Sequence, residues 1–151
     1  MPVTVRPAAE TDAAYLVEFN QRLAAESEGK TLDPAVVRAG VAAGLGDPNK
    51  AAYFVAEDGG AVVGMLLITR EWSDWRNGWL WWIQSVYVRA EARRRGVFRA
   101  LYDYVYRLAK TDSTVIGLRL YMEENNRVAA KTYVGVGMSP AGYVVYQKFP
   151  L

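Results

Sequence analysis

Two stretches of this 151-residue chain carry residue types at spacings that can do chemistry. The first is Arg93-Arg94-Arg95-Gly96-Val97-Phe98-Arg99, directly after Ser85-Val86-Tyr87-Val88 and at the head of an amphipathic run. A strand that feeds a basic loop, which in turn opens a helix, presents unpaired backbone N–H groups and a partial positive charge. Such a terminus holds phosphate. Gly96 lets the backbone approach closely, and Arg94, Arg95 and Arg99 add charge. The plain alternative is a solvated basic helix start or a nucleic-acid patch. The second stretch runs from Asn126 to Met138, where Asn126, Ala129 and Tyr133 share one helix face. Taken alone, it reads as an N-cap Asn, a small packing residue and an amphipathic core Tyr.

A third feature is compositional. All five Trp residues (72, 75, 79, 81 and 82) fall within one short window, with Glu71, Asp74 and Arg76 beside them. Indoles stack on cations and on flat apolar groups. Strand alternation puts Trp79 and Trp81 on one face and Leu80, Trp82, Gln84 and Val86 on the other. One set could line a site while the other fills a core or a dimer interface.

What is missing narrows the chemistry. With no Cys and no His, there is no disulfide framework, thiol nucleophile, Ser-His-Asp triad or His-ligated zinc, and no metal site is expected. The 18 Lys+Arg against 16 Asp+Glu leave a net charge of only +2, too little to imply a nucleic-acid partner. The N-terminus lacks a signal-peptide pattern, and no apolar run reaches the roughly 18 residues of a membrane span. A soluble, cytoplasmic protein without a membrane partner is expected.

The elements that must position these residues follow from periodicity. Val3 to Pro7 reads as a short strand. A helix with Tyr15, Leu16, Phe19 and Leu23 on one face follows, capped by Thr11 or Asp12. A second helix begins at Asp33-Pro34, with Val36, Val37, Val41 and Leu45 on its face. Ala51–Glu57 and Ala61–Thr69 flank Asp58-Gly59-Gly60 as a hairpin, and Trp79–Val88 continues the meander. After the helix opened by the Arg loop come a strand at Val115–Met122, a helix at Asn126–Val136 and a last strand at Tyr143–Phe149. The order is β-α-α-β-β-β-α-β-α-β in one domain over 1–151. The fold class is α/β (α+β): a mixed, mostly antiparallel sheet of six to seven strands with helices on both faces, and a parallel crossover from Trp79 to Met122.

In this order and separation the two motifs resemble the GNAT superfamily, the Gcn5-related N-acetyltransferases. That family carries an Arg/Gln-x-x-Gly-x-Gly/Ala loop after its fourth strand, read here as Arg93 to Phe98. It also carries an Asn-x-x-Ala-x-x-x-Tyr-x-x-x-Gly-Phe/Met helix, matched from Asn126 to Met138. Phe98 departs from the usual Gly or Ala, so its side chain must point away from a bound pyrophosphate. The resemblance implies acetyl-CoA as cofactor. Its pantetheine arm would pair with the backbone of Val86, Tyr87 and Val88, and with Asn126. Its pyrophosphate would lie on the loop of Arg93, Arg94, Arg95, Gly96, Val97, Phe98 and Arg99. Tyr133 would protonate the departing thiolate.

Many relatives place a Glu on the fourth strand as general base, where this chain has Trp82 and Gln84. Glu26, Glu28, Glu71 or Glu123 could act instead, directly or through water, or the amine could bind already deprotonated. Trp72 or Trp82, with one of Glu26, Glu28 and Glu71, would border the acceptor, a primary amine of a small molecule or peptide. The expected function is N-acetyl transfer by direct attack in a ternary complex, with a possible homodimer. A non-catalytic acyl-CoA sensor on the same fold is the alternative, and a nucleic-acid-binding domain rests on the Arg run alone.

Overall fold

The computed structural model describes residues 2–151. β1 (Thr4–Pro7) leads through a short turn into α1 (Ala13–Glu28). Asp12 does not cap α1 with its side chain. Its buried carboxylate is turned back to Arg6, whose Nη1 and Nη2 donate to it at 2.7 and 3.0 Å, and to the Ala9 N–H at 2.7 Å. Asp33 does cap α2 (Pro34–Gly46), accepting from the N–H groups of Ala35 and Val36. Along α2, Val41 is buried, whereas Val36 is 67% exposed. It lies one position, about 100° of rotation, off the stripe of Val37, Val41 and Leu45.

β2 (Ala52–Asp58), β3 (Ala61–Ser73) and β4 (Gly78–Val88) form the antiparallel meander, and β1 adds to the free side of β2. α3 (Val97–Thr111) then carries the chain over to β5 (Val115–Arg119), which pairs parallel to β4. The sheet order is therefore β1-β2-β3-β4-β5. One face buries Val55, Met65, Leu67 and Tyr87 against Leu16, Phe19 and Val41 of α1 and α2. α3 covers the other face, with Leu101 and Val105 fully buried and the Tyr104 ring 5.5 Å from Phe54.

The chain divides into two compact units, one up to Tyr121 and one from Met122 to Leu151. The second holds α4 (Arg127–Gly135) and no strand among its described residues. The sheet thus has five strands, not six or seven, and the expected strand at Tyr143–Phe149 is not formed. β5 also ends at Arg119, short of Met122. The physical reason is general: Val, Tyr and Phe favour extended backbone, but a strand exists only where a neighbour completes its ladder.

The Arg6–Asp12 pair makes acid stability predictable. The Arg6 hydrogen bonds hold the Asp12 carboxyl below its ordinary value of 3.8, outweighing burial, which acts the other way. The unfolded chain therefore takes up this proton first as pH falls, and the stabilisation present above the unfolded value is lost in acid. Thermal melts followed by circular dichroism should show a flat Tm down to about pH 5 and a steep fall below about pH 4. Asp12→Asn should lower Tm at neutral pH and flatten that fall.

Candidate functional site

β4 is paired on both sides only along its first half. Its ladder with β5 matches Trp79 to Val115, Leu80 to Gly117, Trp81 to Leu118 and Trp82 to Arg119, and ends there. At its start the two strands are pressed together, since a Cβ on Gly78 would lie 2.5 Å from the Ile116 side chain. Beyond Trp82, β4 runs on through Ile83 to Val88 with β3 on one side and no described strand on the other. Backbone donors and acceptors along that open side, in the segment containing Val86, Tyr87 and Val88, can pair with an extended amide-bearing ligand.

A bulge re-aims the side chains of the same segment. Ser85 pairs with Leu67 while Ile83 pairs with Ile68, so Gln84 is an extra residue and is exposed. One inserted residue reverses every later side chain. Ser85 and Tyr87 therefore share the α1 face with Trp82, and Val86 turns to the α3 face, opposite to simple alternation. The Tyr87 ring is buried 5.4 Å from that of Phe19.

The loop after β4 has the backbone of an anion cradle. Arg94 (φ 62°) and Gly96 (φ 80°) are both left-handed, a conformation that tilts successive N–H groups toward one point. Gly96 sits at the N-cap of α3, no side chain caps that end, and a Cβ there would meet no atom within 4 Å. The first helical bond runs from Ala100 N–H to Gly96 C=O, so the N–H groups of Val97 and Arg99 precede the intrahelical ladder. Phe98 is half-buried with its ring 6.2 Å from Tyr102, along the helix.

The arginines are not equivalent. Arg95 pairs with Asp58 at 2.7 Å, Arg99 with Asp103 at 3.0 Å and Arg93 with Glu26 at 2.7 Å. Arg94 alone of the four has no acidic partner among the described residues, and its charge is the one left for an anion. These features fit a diphosphate-bearing cofactor with a pantetheine-like arm.

Each candidate carboxylate is already engaged. Glu26 accepts from the Tyr87 hydroxyl at 2.6 Å and from Arg93 at 2.7 Å, and these bonds lower its pKa. The Tyr87 pKa is raised, by burial first and then by Glu26. Glu71 accepts from the Trp82 indole N–H at 3.0 Å and from Arg119 at 3.4 Å. Glu28 pairs with Lys30, and Glu123 accepts from Asn125 in its own loop. Trp82 and Glu71 are thus brought together, with the Tyr121 ring 5.8 Å from Trp82. Glu26 belongs to a separate cluster, five residues or roughly 15 Å along β4. Trp72 lies on the α3 face, edge-on to Trp79 at 5.0 Å, and the Arg70 guanidinium lies over the Trp79 ring. A shallow pocket of about 140 Å³ on that face, lined by Phe54, Ile68, Arg70 and Trp81 among others, holds none of the candidate site residues.

In the second unit, Asn126 caps α4, its Oδ1 accepting from the Ala129 N–H at 3.0 Å, which leaves its amide N–H groups as donors. Tyr133 is half-buried, and burial raises its pKa, so it is a protonated phenol at neutral pH. The residues that sequence reasoning missed are Arg119 and Tyr121 beside Trp82, and the Tyr87 side chain. Composition marks none of them. The Gln84 bulge and the end of the β4–β5 ladder do.

Comparison with known proteins bears on the family and the fold. No curated protein matches the sequence. Among solved structures, a possible acetyltransferase from Clostridium difficile 630 is 40% identical, with a TM-score of 0.93 over 100% of this chain and 99% of that one. The aminoglycoside N-acetyltransferase AAC(6')-Iy, solved in complex with CoA, is 15% identical, with a TM-score of 0.81 over 97% of this chain and 94% of that one. A ribosomal-protein-alanine N-acetyltransferase from Brucella melitensis biovar Abortus 2308 is 17% identical, with a TM-score of 0.78 over 98% of this chain and all of that one. The last two share the fold. The sequence model of the acetyltransferase (GNAT) family matches residues 13–138, which take in both the Arg loop and the Asn126–Met138 helix. The chain belongs to the acetyltransferase (GNAT) family.

Proposed function

We propose that this protein moves an acetyl group from acetyl-CoA to a primary amine of a small molecule or peptide. The observation that carries the reading is the half-paired β4 followed, after a short turn at Ala90–Ala92, by a left-handed helix start with no side-chain cap. When bound, acetyl-CoA supplies an activated thioester. The open backbone of Val86, Tyr87 and Val88 would hold and align the pantetheine arm, and one N–H of this segment would polarise the acyl oxygen. The N–H groups of Val97 and Arg99, with the Arg94 guanidinium, bind the pyrophosphate. As the resemblance to the family implies, Asn126 would donate its amide N–H to the arm, and Tyr133 would supply a proton to the leaving sulfur.

Each of the four candidate carboxylates already accepts a hydrogen bond or ion pair, which favours an amine that reacts in its neutral form, with water taking its proton. kcat/KM should then rise tenfold per pH unit until the amine's own pKa, with no inflection from an enzyme carboxylate. Turnover of acetyl-CoA with a panel of amines, read by mass spectrometry, tests the proposal. Tight CoA binding without turnover on any amine would favour a non-catalytic acyl-CoA sensor, a reading that the engagement of all four carboxylates supports.

Trp82, with Glu71 and Tyr121, forms the wall we assign to the acceptor. An indole face holds a cationic or flat amine skeleton. Trp82→Ala should raise the amine KM about tenfold, equivalent to roughly 1.4 kcal/mol, with kcat and oligomeric state kept. An unchanged amine KM in a folded variant would remove Trp82 from the site.

A further inference from the structure

Of the three consecutive arginines after β4, the outer two are tied to carboxylates on other elements. Arg93 is held from three directions. Its Nη2 donates to Glu26 Oε1 at 2.7 Å, its Nε donates to the Val88 carbonyl at 3.0 Å, and its guanidinium lies 5.4 Å from the centre of the Tyr87 ring. Glu26 uses its other oxygen, Oε2, to accept from the Tyr87 hydroxyl at 2.6 Å. Arg95 pairs with Asp58 at 2.7 Å, and the Asp58 side chain is only 13% exposed. Glu26 stands in the last turn of α1 and Asp58 at the end of β2. Two separate elements therefore grip the loop on either side of Arg94.

Arg94 is left-handed, with φ 62°. A residue with a Cβ is uncommon in that region and stays there only where its surroundings hold it. Arg93 also fixes the end of β4. The Arg89 N–H donates to the Val63 carbonyl in β3 at 2.8 Å. The N–H and C=O of one trans peptide point opposite ways, so the Val88 carbonyl faces the open side of β4. Arg93 closes the open side at that point and leaves the groups before it for an extended ligand. A lone surface ion pair contributes little. Here one pair belongs to a chain of bonds from Tyr87 through Glu26 and Arg93 to Val88, and the other has a largely buried carboxylate.

We propose that Glu26 and Asp58 are positioning residues for the acyl donor. Through Arg93 and Arg95 they hold the loop in the shape that presents the Arg94 charge and the N–H groups at the head of α3 to the pyrophosphate. This rests on the acyl-transfer reading. It also takes Glu26 away from the acceptor, because both of its oxygens are turned to the donor loop and the end of β4.

Calorimetry with CoA and steady-state rates on Glu26→Gln and Asp58→Asn test the proposal. Each variant should bind CoA about tenfold more weakly and show a similar rise in the acetyl-CoA KM, the low end for a hydrogen bond to a charged group, with the amine KM and saturating kcat held within about twofold. In an Arg95→Gln background Asp58→Asn should cost nothing more, and likewise Glu26→Gln in Arg93→Gln. Full additivity overturns the route through the arginines. If Asp58→Asn does not fold, Arg95→Gln, on the exposed side of the same pair, gives the reading instead. A raised amine KM with unchanged CoA affinity in Glu26→Gln returns that residue to the acceptor and overturns the proposal. Without any ligand, trypsin should cut after Arg93, Arg94 or Arg95 at least about threefold faster in either variant than in the native protein, as a loosened segment opens more often; equal rates overturn the grip. A native protein that binds no CoA overturns the acyl-transfer reading and this proposal with it, whereas CoA binding of native strength in both variants overturns this proposal alone.

Discussion

Gly96→Asp should weaken CoA binding by about 100-fold or more in calorimetry, roughly 2.7 kcal/mol. The backbone at Gly96 is left-handed, with φ 80°. Asp tolerates that region better than most residues, and a Cβ there meets nothing within 4 Å, so the fold should survive. What changes is charge. A carboxylate at the head of α3 would stand where the N–H groups of Val97 and Arg99 and the Arg94 guanidinium attract an anion. Two like charges about 4 Å apart repel by about 4 kcal/mol at an effective dielectric of 20, enough to account for the loss. Gly96→Asn is the control, with nearly the same shape, the same tolerance of left-handed backbone and no charge; it should lose only a few-fold. Unchanged CoA affinity in Gly96→Asp would show that the cofactor binds elsewhere.

Tyr133→Phe should leave acetyl-CoA binding intact and lower kcat about 100-fold, the low end of what general acid catalysis supplies. The low end is expected because burial raises the Tyr133 pKa, while a thiol ionises near 8.5. The phenol is the weaker acid. It would stabilise the departing sulfur chiefly by a hydrogen bond, with the proton crossing late. The same shift keeps the phenol protonated at neutral pH, so the native rate should not fall on the alkaline side until above pH 10. Equal kcat values for the two proteins would take Tyr133 out of the mechanism.

Several features of this protein were legible in the amino-acid order because they are local. The Asp33-Pro34 start of α2 satisfies its own first turn within three residues. The Arg93–Phe98 loop was readable as a candidate anion cradle because a Gly among basic residues at a helix start is a local signal; its left-handed backbone is a finding of the structure. The Asn126 cap and the Asn126–Met138 spacing were readable for the same reason. Local signals also misled: Val36 is apolar yet points outward, and Asp12 has a capping side chain that Arg6 claims instead.

The residue order by itself determined the strand and helix sequence up to β5, the basic loop at the head of α3 and the list of candidate carboxylates. Only tertiary structure decided which of these groups meet. The extra residue at Gln84 becomes visible only against β3, and it exchanges the faces of Val86 and Tyr87. The point where β4 and β5 part, after Trp82 and Arg119, depends on how far α3 lets two distant segments run side by side. Glu26 and Glu71 look alike as sequence. Tyr87 and Arg93 occupy one, Trp82 and Arg119 the other, and none of those partners is a sequence neighbour. The strand expected at Tyr143–Phe149 shows the same limit. Residue type sets a preference for extended backbone, but backbone N–H and C=O groups are satisfied in pairs, and the pairing edge lies outside the segment itself.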